Sequence, residues 1–309
     1  SRSFWTTDIY ETTNGNEVTM SKIAILTDSS CDIPQEMAEK YGIDIMSFHI
    51  LLDDVDYVER ESCTNTEFYD KMRLSKGVPS TAAITPIQFC EKYCQYVDEG
   101  YTDVIHVPIN KSGSSTYNNA LMAQGMLREE RPEHHMKIHL LDPHTYSMVF
   151  GWYLCEMARK LKNGAEISHV IQEFEKQMNC MEIILGPYSL KQMKKSGRIS
   201  AAAAVMGELM GVRPIITLID GKTKVESKVR GDDKVVPAMI ELCKKRADGV
   251  ENFDYMIGHT NIKQAEDLEK ACRKAFGKAP LVVFELGGVV SANTGPDTVA
   301  LVYTGHPRG

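Results

Sequence analysis

The sequence predicts an α/β fold: a parallel sheet with flanking helices, followed by a second α/β domain. Two observations predict it. Short β-branched runs alternate with helix-periodic stretches, the pattern of βαβ units joined by right-handed crossovers. Several strand candidates also end in a small polar loop that opens directly into a helix, as at the ligand-binding edge of an open parallel sheet. The clearest such unit is 103–126, DVIHVPINKSGSSTYNNALMAQGM. Val104, Ile105, Val107, Pro108 and Ile109 make a buried strand. Asn110 to Ser115 are polar and contain a glycine, and Ala120, Leu121, Ala123, Met126 and Leu127 then recur at helical spacing. Ser114 and Ser115 are good N-cap types, so the first amides of that helix are expected to face out of the sheet edge, where anions are favoured. An ordinary capped helix has the same pattern, so the unit needs support from its neighbours.

With 309 residues the chain has room for about two domains. Its 43% hydrophobic and 25% charged content is that of an ordinary globular protein. A formal charge of −7 speaks against nucleic-acid binding, which calls for a basic face. No apolar run approaches the roughly 20 residues of a membrane span, and no basic segment ahead of an apolar core marks a secretory signal. The eight cysteines form no CxxC, and Cys90 and Cys94 lack a second pair to complete a zinc site. They read as buried free thiols in a reducing cytoplasm, and the chain is expected to be a cytoplasmic monomer.

In order, residues 1–20 are polar and without period and are set aside as an N-terminal extension. Strand 23–26 ends in Thr27-Asp28-Ser29-Ser30-Cys31-Asp32, with Asp32 before Pro34 a helix-entry signal. Residues 43–52 form a strand, 53–61 a charged loop or exposed ribbon, and 64–74 a helix. Two prolines keep 78–86 extended, with Thr81 in its middle and Thr85 capping a helix over 86–97. Strand 136–141 ends in Asp142-Pro143-His144-Thr145, ahead of a helix over 146–161. The break at 162–165 is the best boundary, giving domains over 21–164 and 165–309. Beyond it come helix 167–178, strand 180–185, a basic turn over 189–195, a tight loop over 196–200 and a small-residue helix over 201–210. Pro214 places strand 212–219 near an edge, and Asp220-Gly221 signals a hairpin returning along 224–229. Helices over 234–246 and 263–276 alternate with strands over 253–258, 281–286 and 299–303, and 291–297 is a polar loop.

Conventional catalytic constellations do not assemble. There is no GxSxG, no HExxH and no Walker loop. Asp28 and Asp32 lack further ligands for a metal, and an aspartate at a strand end often just orders its loop. His106 lies inside an apolar strand and reads as a core histidine, as does His259 at the end of another. His144 has no evident nucleophile. What remains is a set of loops rich in hydroxyls and amides: 28–32, 80–85, 112–116, Gly197-Arg198 and 293–295. Neutral donors with one arginine suit the binding of a carboxylate or phosphate, whose burial is otherwise costly. A hydrolase or transferase acting on a small anionic or phosphorylated substrate is the alternative, with Asp28 and His144 or His259 as acid and base.

The same loops carry a resemblance. TDSSCD, the Thr81 segment, the Ser114 loop before TYNNA, LLDPHTYSM, KKSGRIS, the RPII…DG…KVRG series, GHTN and ANTGP follow the order of the DegV family, covering nearly everything from 22 to 303. The family comprises bacterial fatty-acid-binding proteins. The resemblance implies a non-catalytic lipid carrier, without cofactor, that presents its bound acid to a separate fatty acid kinase for acyl-phosphate formation in phospholipid synthesis. Thr81 matches the threonine of the family's TSQPS segment and Ser114 the serine of its SSGLSGTY segment, so Thr81, Ser114, Ser115 and Thr116 are the expected carboxylate-binding residues. Arg198 matches the arginine of the GRI motif, which implies a place near the head group or kinase. Asn293, Ser29, Ser30 and His259 are expected in the same vicinity. Three positions depart from the family's pattern: Ala82 lacks a hydroxyl, Ser115 replaces a usual glycine, and Asn293 stands where the family has histidine. The resemblance implies an acyl chain, expected at roughly 14 to 18 carbons, and since burying a methylene is worth roughly 0.8 kcal/mol such a chain calls for a long apolar tunnel. Met148, Met181, Met206, Met210 and the alanines at 201–204 are the expected lining.

Overall fold

The computed structural model describes residues 9–14, 17–203 and 211–308. Strands β1 (Ile9–Asn14) and β2 (Glu17–Asp28) open the chain, followed by α1 (Gln35–Tyr41), β3 (Ile43–Met46), β4 (His49–Leu52) and β5 (Val55–Val58). Then come α2 (Asn65–Leu74), β6 (Ser80–Ala82), α3 (Pro86–Asp98), β7 (Asp103–Val107), α4 (Thr116–Glu130), β8 (Lys137–Leu140) and α5 (Met148–Lys162). After these follow α6 (Ile167–Met178), β9 (Met181–Pro187), α7 (Lys191–Ser196), α8 (Ser200–Ala203), β10 (Val212–Ile219), β11 (Lys222–Arg230) and α9 (Val235–Arg246). The chain closes with β12 (Tyr255–His259), α10 (Ile262–Phe276), β13 (Val283–Glu285), α11 (Gly288–Thr294) and β14 (Thr298–Thr304).

The fold is mixed α/β. In the first sheet β2 pairs in parallel with β3 on one side and β7 on the other, and β8 extends it beyond β7. The chain leaves β2 in one direction to β3 and later in the other to β7, so the carboxyl ends of β2 and β7 flank a crevice of the kind that receives ligands. Both faces are covered, as a parallel sheet requires. Ile23, Ile25, Ile105 and Val107 pack toward α1 and α5, while Ala24, Leu26 and Val104 pack toward α2, α3 and α4.

The second sheet runs β11-β10-β9-β14-β12-β13 and is antiparallel except for β12–β13. Its last strand lies at its centre. Along β14, Val299, Leu301 and Tyr303 join the core under α9 and α10, while Ala300 and Val302 join the core shared with α5 and the first sheet. This two-residue alternation gives the sheet one face for its helices and one for the site.

Three expectations need correction. The apolar run 43–52 is two strands. β3 stays in the parallel sheet, whereas β4 turns away to pair with β5 and β6 in a small antiparallel sheet. The polar stretch 291–297 is not all loop, because α11 runs to Thr294. Its small residues pack closely, with Ser291 and Ala292 buried. Residues 9–14 and 17–22 are not irregular: they pair antiparallel, Asn14 opposite Glu17. Their hydroxyl-rich sequence carries no apolar period, and the Asn14-Gly15 hairpin signal was the readable cue. Of the helix expected over 201–210, positions 204–210 lie outside the described residues.

Candidate functional site

A mainly apolar cavity lies between the first sheet's loops and the inner face of the second sheet. Its volume is about 190 Å³, above the ~150 Å³ that admits one benzene ring, so it suits a larger apolar guest. Its apolar wall includes Ile183 and Leu185 on β9, Ala300 and Val302 on β14, Leu218 on β10 and Phe284 on β13. Leu185, Ala300, Gly258 and Phe284 sit opposite one another across four strands. The Phe284 ring lies over Gly258, where a Cβ would meet its Cζ at 2.8 Å. This row forms a trough whose shallow floor is Ala300.

The cavity's polar lining comes from loops. Thr81 stands on β6 opposite Ile50 of β4, and Ala83 follows it into the cavity. Ala82, between them, points outward and is exposed, so the hydroxyl missing there is not missing from the cavity. Ser114 and Ser115 enter from the loop after β7, and Asn293 and Thr294 from the end of α11. Tyr146 and Ser147 precede α5 and were not foreseen, although LLDPHTYSM marks their loop. A methyl group at Gly113 would overlap the Tyr146 hydroxyl, so glycine there lets the phenol lie against the loop. Burial pushes the Tyr146 phenol up, so it stays a neutral donor.

Capping differs from expectation. Ser115 holds the N-cap position of α4 without capping by its side chain, because its φ −72°, ψ −7° is helical rather than extended. Ser114 serves instead: its Oγ accepts the Thr116 amide at 3.2 Å and lies 2.8 Å from Thr116 Oγ1. Thr116 is fully buried behind it and does not reach the cavity.

Among the described residues the lining contains one cation, Arg198, and no carboxylate. Gly197, at φ 72°, turns the chain after α7, and the exposed Arg198 Nη1 donates to Ser196 O at 3.3 Å. Among the described residues Arg198 has no carboxylate partner, so its charge is open to an anion. Asn293 Nδ2 donates to Val289 O at 2.9 Å, which leaves its second amide proton and its oxygen for other partners.

Other expected site residues lie elsewhere. Ser29 and Ser30 are buried at the end of β2, where their hydroxyls are consumed by two acids, Glu59 and Asp28 respectively. His259 is buried in β12 outside the cavity, and burial lowers its pKa. His106 is held by the Tyr93 hydroxyl at 2.6 Å and burial pushes it down to about 3, as suits a core histidine. Asp28 receives Ile109 N at 2.7 Å and Ser30 N at 3.1 Å; burial pushes it up to about 7 against those hydrogen bonds. His144 pairs with Asp142 at 3.3 Å on the surface. Asp28, His144 and His259 therefore do not share the cavity. Met148 and Met181 are core residues outside the lining, displaced by Val149 and Ile183, which take the inward positions on their elements. Ala201 and Ala202 also lie off the cavity, while 204, 206 and 210 fall outside the described residues. Among the described residues no cluster of three His, Cys, Asp or Glu side chains is placed to hold a metal ion, and no helix is long and apolar enough to cross a membrane.

The DegV family model matches residues 22–305. The chain belongs to the DegV family. A DegV domain-containing protein of Clostridium perfringens, CPE1310, is 28% identical over 293 residues, spanning 92% of this chain and 99% of the relative. Two solved DegV-like folds superpose well. A fatty-acid-binding DegV family protein from Streptococcus agalactiae shares 27% identity at a TM-score of 0.80, covering 93% of this chain and 99% of its own. A stearic-acid-binding protein from Eubacterium ventriosum reaches a TM-score of 0.83 at 22% identity, covering 92% and 98%. The second likeness is one of fold. The first extends the DegV kinship to a relative described by its ligand.

Proposed function

We propose that this DegV protein binds one long-chain fatty acid, about C14–C18, with the acyl chain against the second sheet's inner face and the carboxylate at the loop end. The observation that carries this is a cavity with an aliphatic wall whose lining, among the described residues, has one open cation, several hydroxyls and no carboxylate. Thr81, Ser114 and Ser115 are the head-group donors, together with backbone amides at the start of α4, and Asn293 and Arg198 lie at the head-group end. A buried carboxylate needs such donors, and an acid in the lining would oppose it. The kinship with fatty-acid-binding DegV proteins supports the same reading.

The protein works as a cytoplasmic, monomeric carrier rather than an enzyme. It presents the head group to a separate fatty acid kinase, with Arg198 at the docking or phosphorylation end. Gly164 divides it into α/β units over 21–164 and 165–309. The test is to denature the purified protein, extract it and identify the organic fraction by mass spectrometry. One fatty acid per chain is expected. No extractable lipid, with no uptake of added palmitate or oleate, would overturn the reading.

A further inference from the structure

Two acidic side chains outside the cavity grip two of its walls. Glu59, buried just after β5, accepts Val289 N at 2.8 Å and also the Gly288 amide and the Ser29 hydroxyl. Asp32 accepts the Gly287 amide and the Ser147 hydroxyl. Three successive amides at the start of α11 are thus held by two carboxyl groups from the first half of the chain. A methyl group at Gly287 would overlap both Asp32 Oδ1 and Glu59 Oε1, which places those oxygens within about 5 Å of one another, so one negative charge opposes the other. The grip reaches the cavity directly. Val289, whose amide Glu59 holds, lines it, and its carbonyl orients Asn293 at 2.9 Å. Ser147, held by Asp32, lines it from the other side in a left-handed conformation at φ 64°, unusual for a side-chain-bearing residue.

We propose that Asp32 and Glu59 form a proton-dependent positioning pair that clamps the start of α11 and Ser147, and through them sets the Asn293 end of the cavity. Among the described residues neither acid has a bonded cation. The neighbouring Arg60 donates Nη1 to Ile33 O at 2.6 Å and Nη2 to Gln35 Oε1 at 3.1 Å. The other titratable neighbours are Asp28 and Cys31 on the same turn and Tyr69 of α2, whose hydroxyl donates to Leu286 O. Burial raises both acids and their mutual repulsion raises Asp32 further, against the pull of Arg60. The clamped form therefore holds a proton that a released, solvated pair gives up above the ordinary carboxylate range. Release is favoured as pH rises and suppressed as it falls.

The inference gives the proposed lipid site a proton-linked wall, and it rests on that reading only for its consequence, not for the clamp itself. The test is hydrogen exchange of the full chain, followed by mass spectrometry from about pH 6 to about pH 9 and corrected for intrinsic rates. Protection of the 288–294 amides should fall by up to about tenfold per pH unit, the slope of one released proton, while α9 and α10 keep theirs. Glu59→Gln combined with Asp32→Asn keeps the acceptors and leaves neither ionisable proton, so the double variant's α11 profile should be flat. In Glu59→Gln alone, which still has the buried Asp32 but not its repulsion, the fall should end at a lower pH than in wild type, and that single variant is the second measurement should the double variant not fold. A flat wild-type profile, a fall shared by α9 and α10, or a wild-type slope retained in the double variant would each overturn the clamp. Retention of labelled oleate measured in parallel should weaken over the same pH range. Oleate binding that is absent at every pH, with the exchange profile as expected, would overturn the lipid reading and leave the clamp standing.

Discussion

Ser114 Oγ lies 2.8 Å from Thr116 Oγ1 and accepts the Thr116 amide at 3.2 Å. With Thr116 donating, the Ser114 proton is left to point into the cavity. Ser114→Ala removes that donor from a charged acceptor, worth about 1.5–3 kcal/mol. Affinity for added oleate should fall by roughly tenfold or more, read by displacement of a fluorescent fatty acid. Unchanged affinity would remove Ser114 from the head-group set.

Arg198 is exposed, and among the described residues its hydrogen bonds go to Ser196, from its amide to the hydroxyl and from Nη1 to the carbonyl. Arg198→Ala should leave lipid retention close to wild type, because a solvated cation contributes little to burying an acyl chain. Phosphorylation of the bound acid by a fatty acid kinase should drop sharply. Loss of retention as large as in Ser114→Ala would instead make Arg198 a primary carboxylate ligand.

Ala300 floors the trough between Leu185 and the Phe284 ring. In a solid core Ala300→Leu would overpack at a cost of about 1–3 kcal/mol. In an open cavity it fills space instead. Denaturation of the stripped protein should show little loss, and co-purified acids should shift toward shorter chains. A destabilised variant with an unchanged lipid profile would place Ala300 in solid packing.

Asp28 stands at about 7 in the folded protein against an ordinary 3.8. The folded state keeps a proton that the unfolded chain has lost, so stability present below about pH 4 is lost as pH rises toward about 7, about 4 kcal/mol for this shift. Asp28→Asn cannot ionise, so its denaturation midpoint should fall less than wild type's between pH 5 and pH 8, with both pH values taken as approximate end points. Equal slopes would assign the effect to other acids.

The polar half of the site was legible because its residues sit in loops with a chemical signature. The loops holding Thr81, Ser114, Ser115, Arg198 and Asn293 stood out by their hydroxyls, amides and one arginine, the resemblance to the DegV family singled out the individual positions, and all five line the cavity. The apolar half was not. Ile183, Leu185, Ala300 and Val302 differ from their neighbours only in which face of a strand they occupy, and that face is fixed by pairing with strands distant in sequence. The methionines attracted attention through composition, which does not say which way a side chain points. Ser29 and Ser30 show the opposite error. Their loop looked like a site, yet its hydroxyls serve Asp28 and a glutamate 30 residues away that no local pattern could connect. The parallel sheet was readable from βαβ order, whereas the central position of β14 depends on a long-range insertion that periodicity does not encode.

The trough on β14 has a consequence for how much of this protein a cell can keep. The cavity it belongs to takes its walls from both halves of the chain, so an apolar guest would complete the interior much as a missing side chain would. Anything that binds only the folded form raises its apparent stability with free concentration, by about 2.7 kcal/mol at a hundredfold excess over the dissociation constant. The molecule would then report on its own supply. Starved of guest, it would be cleared faster by proteases, and its abundance would follow the pool it draws from without any change in its synthesis.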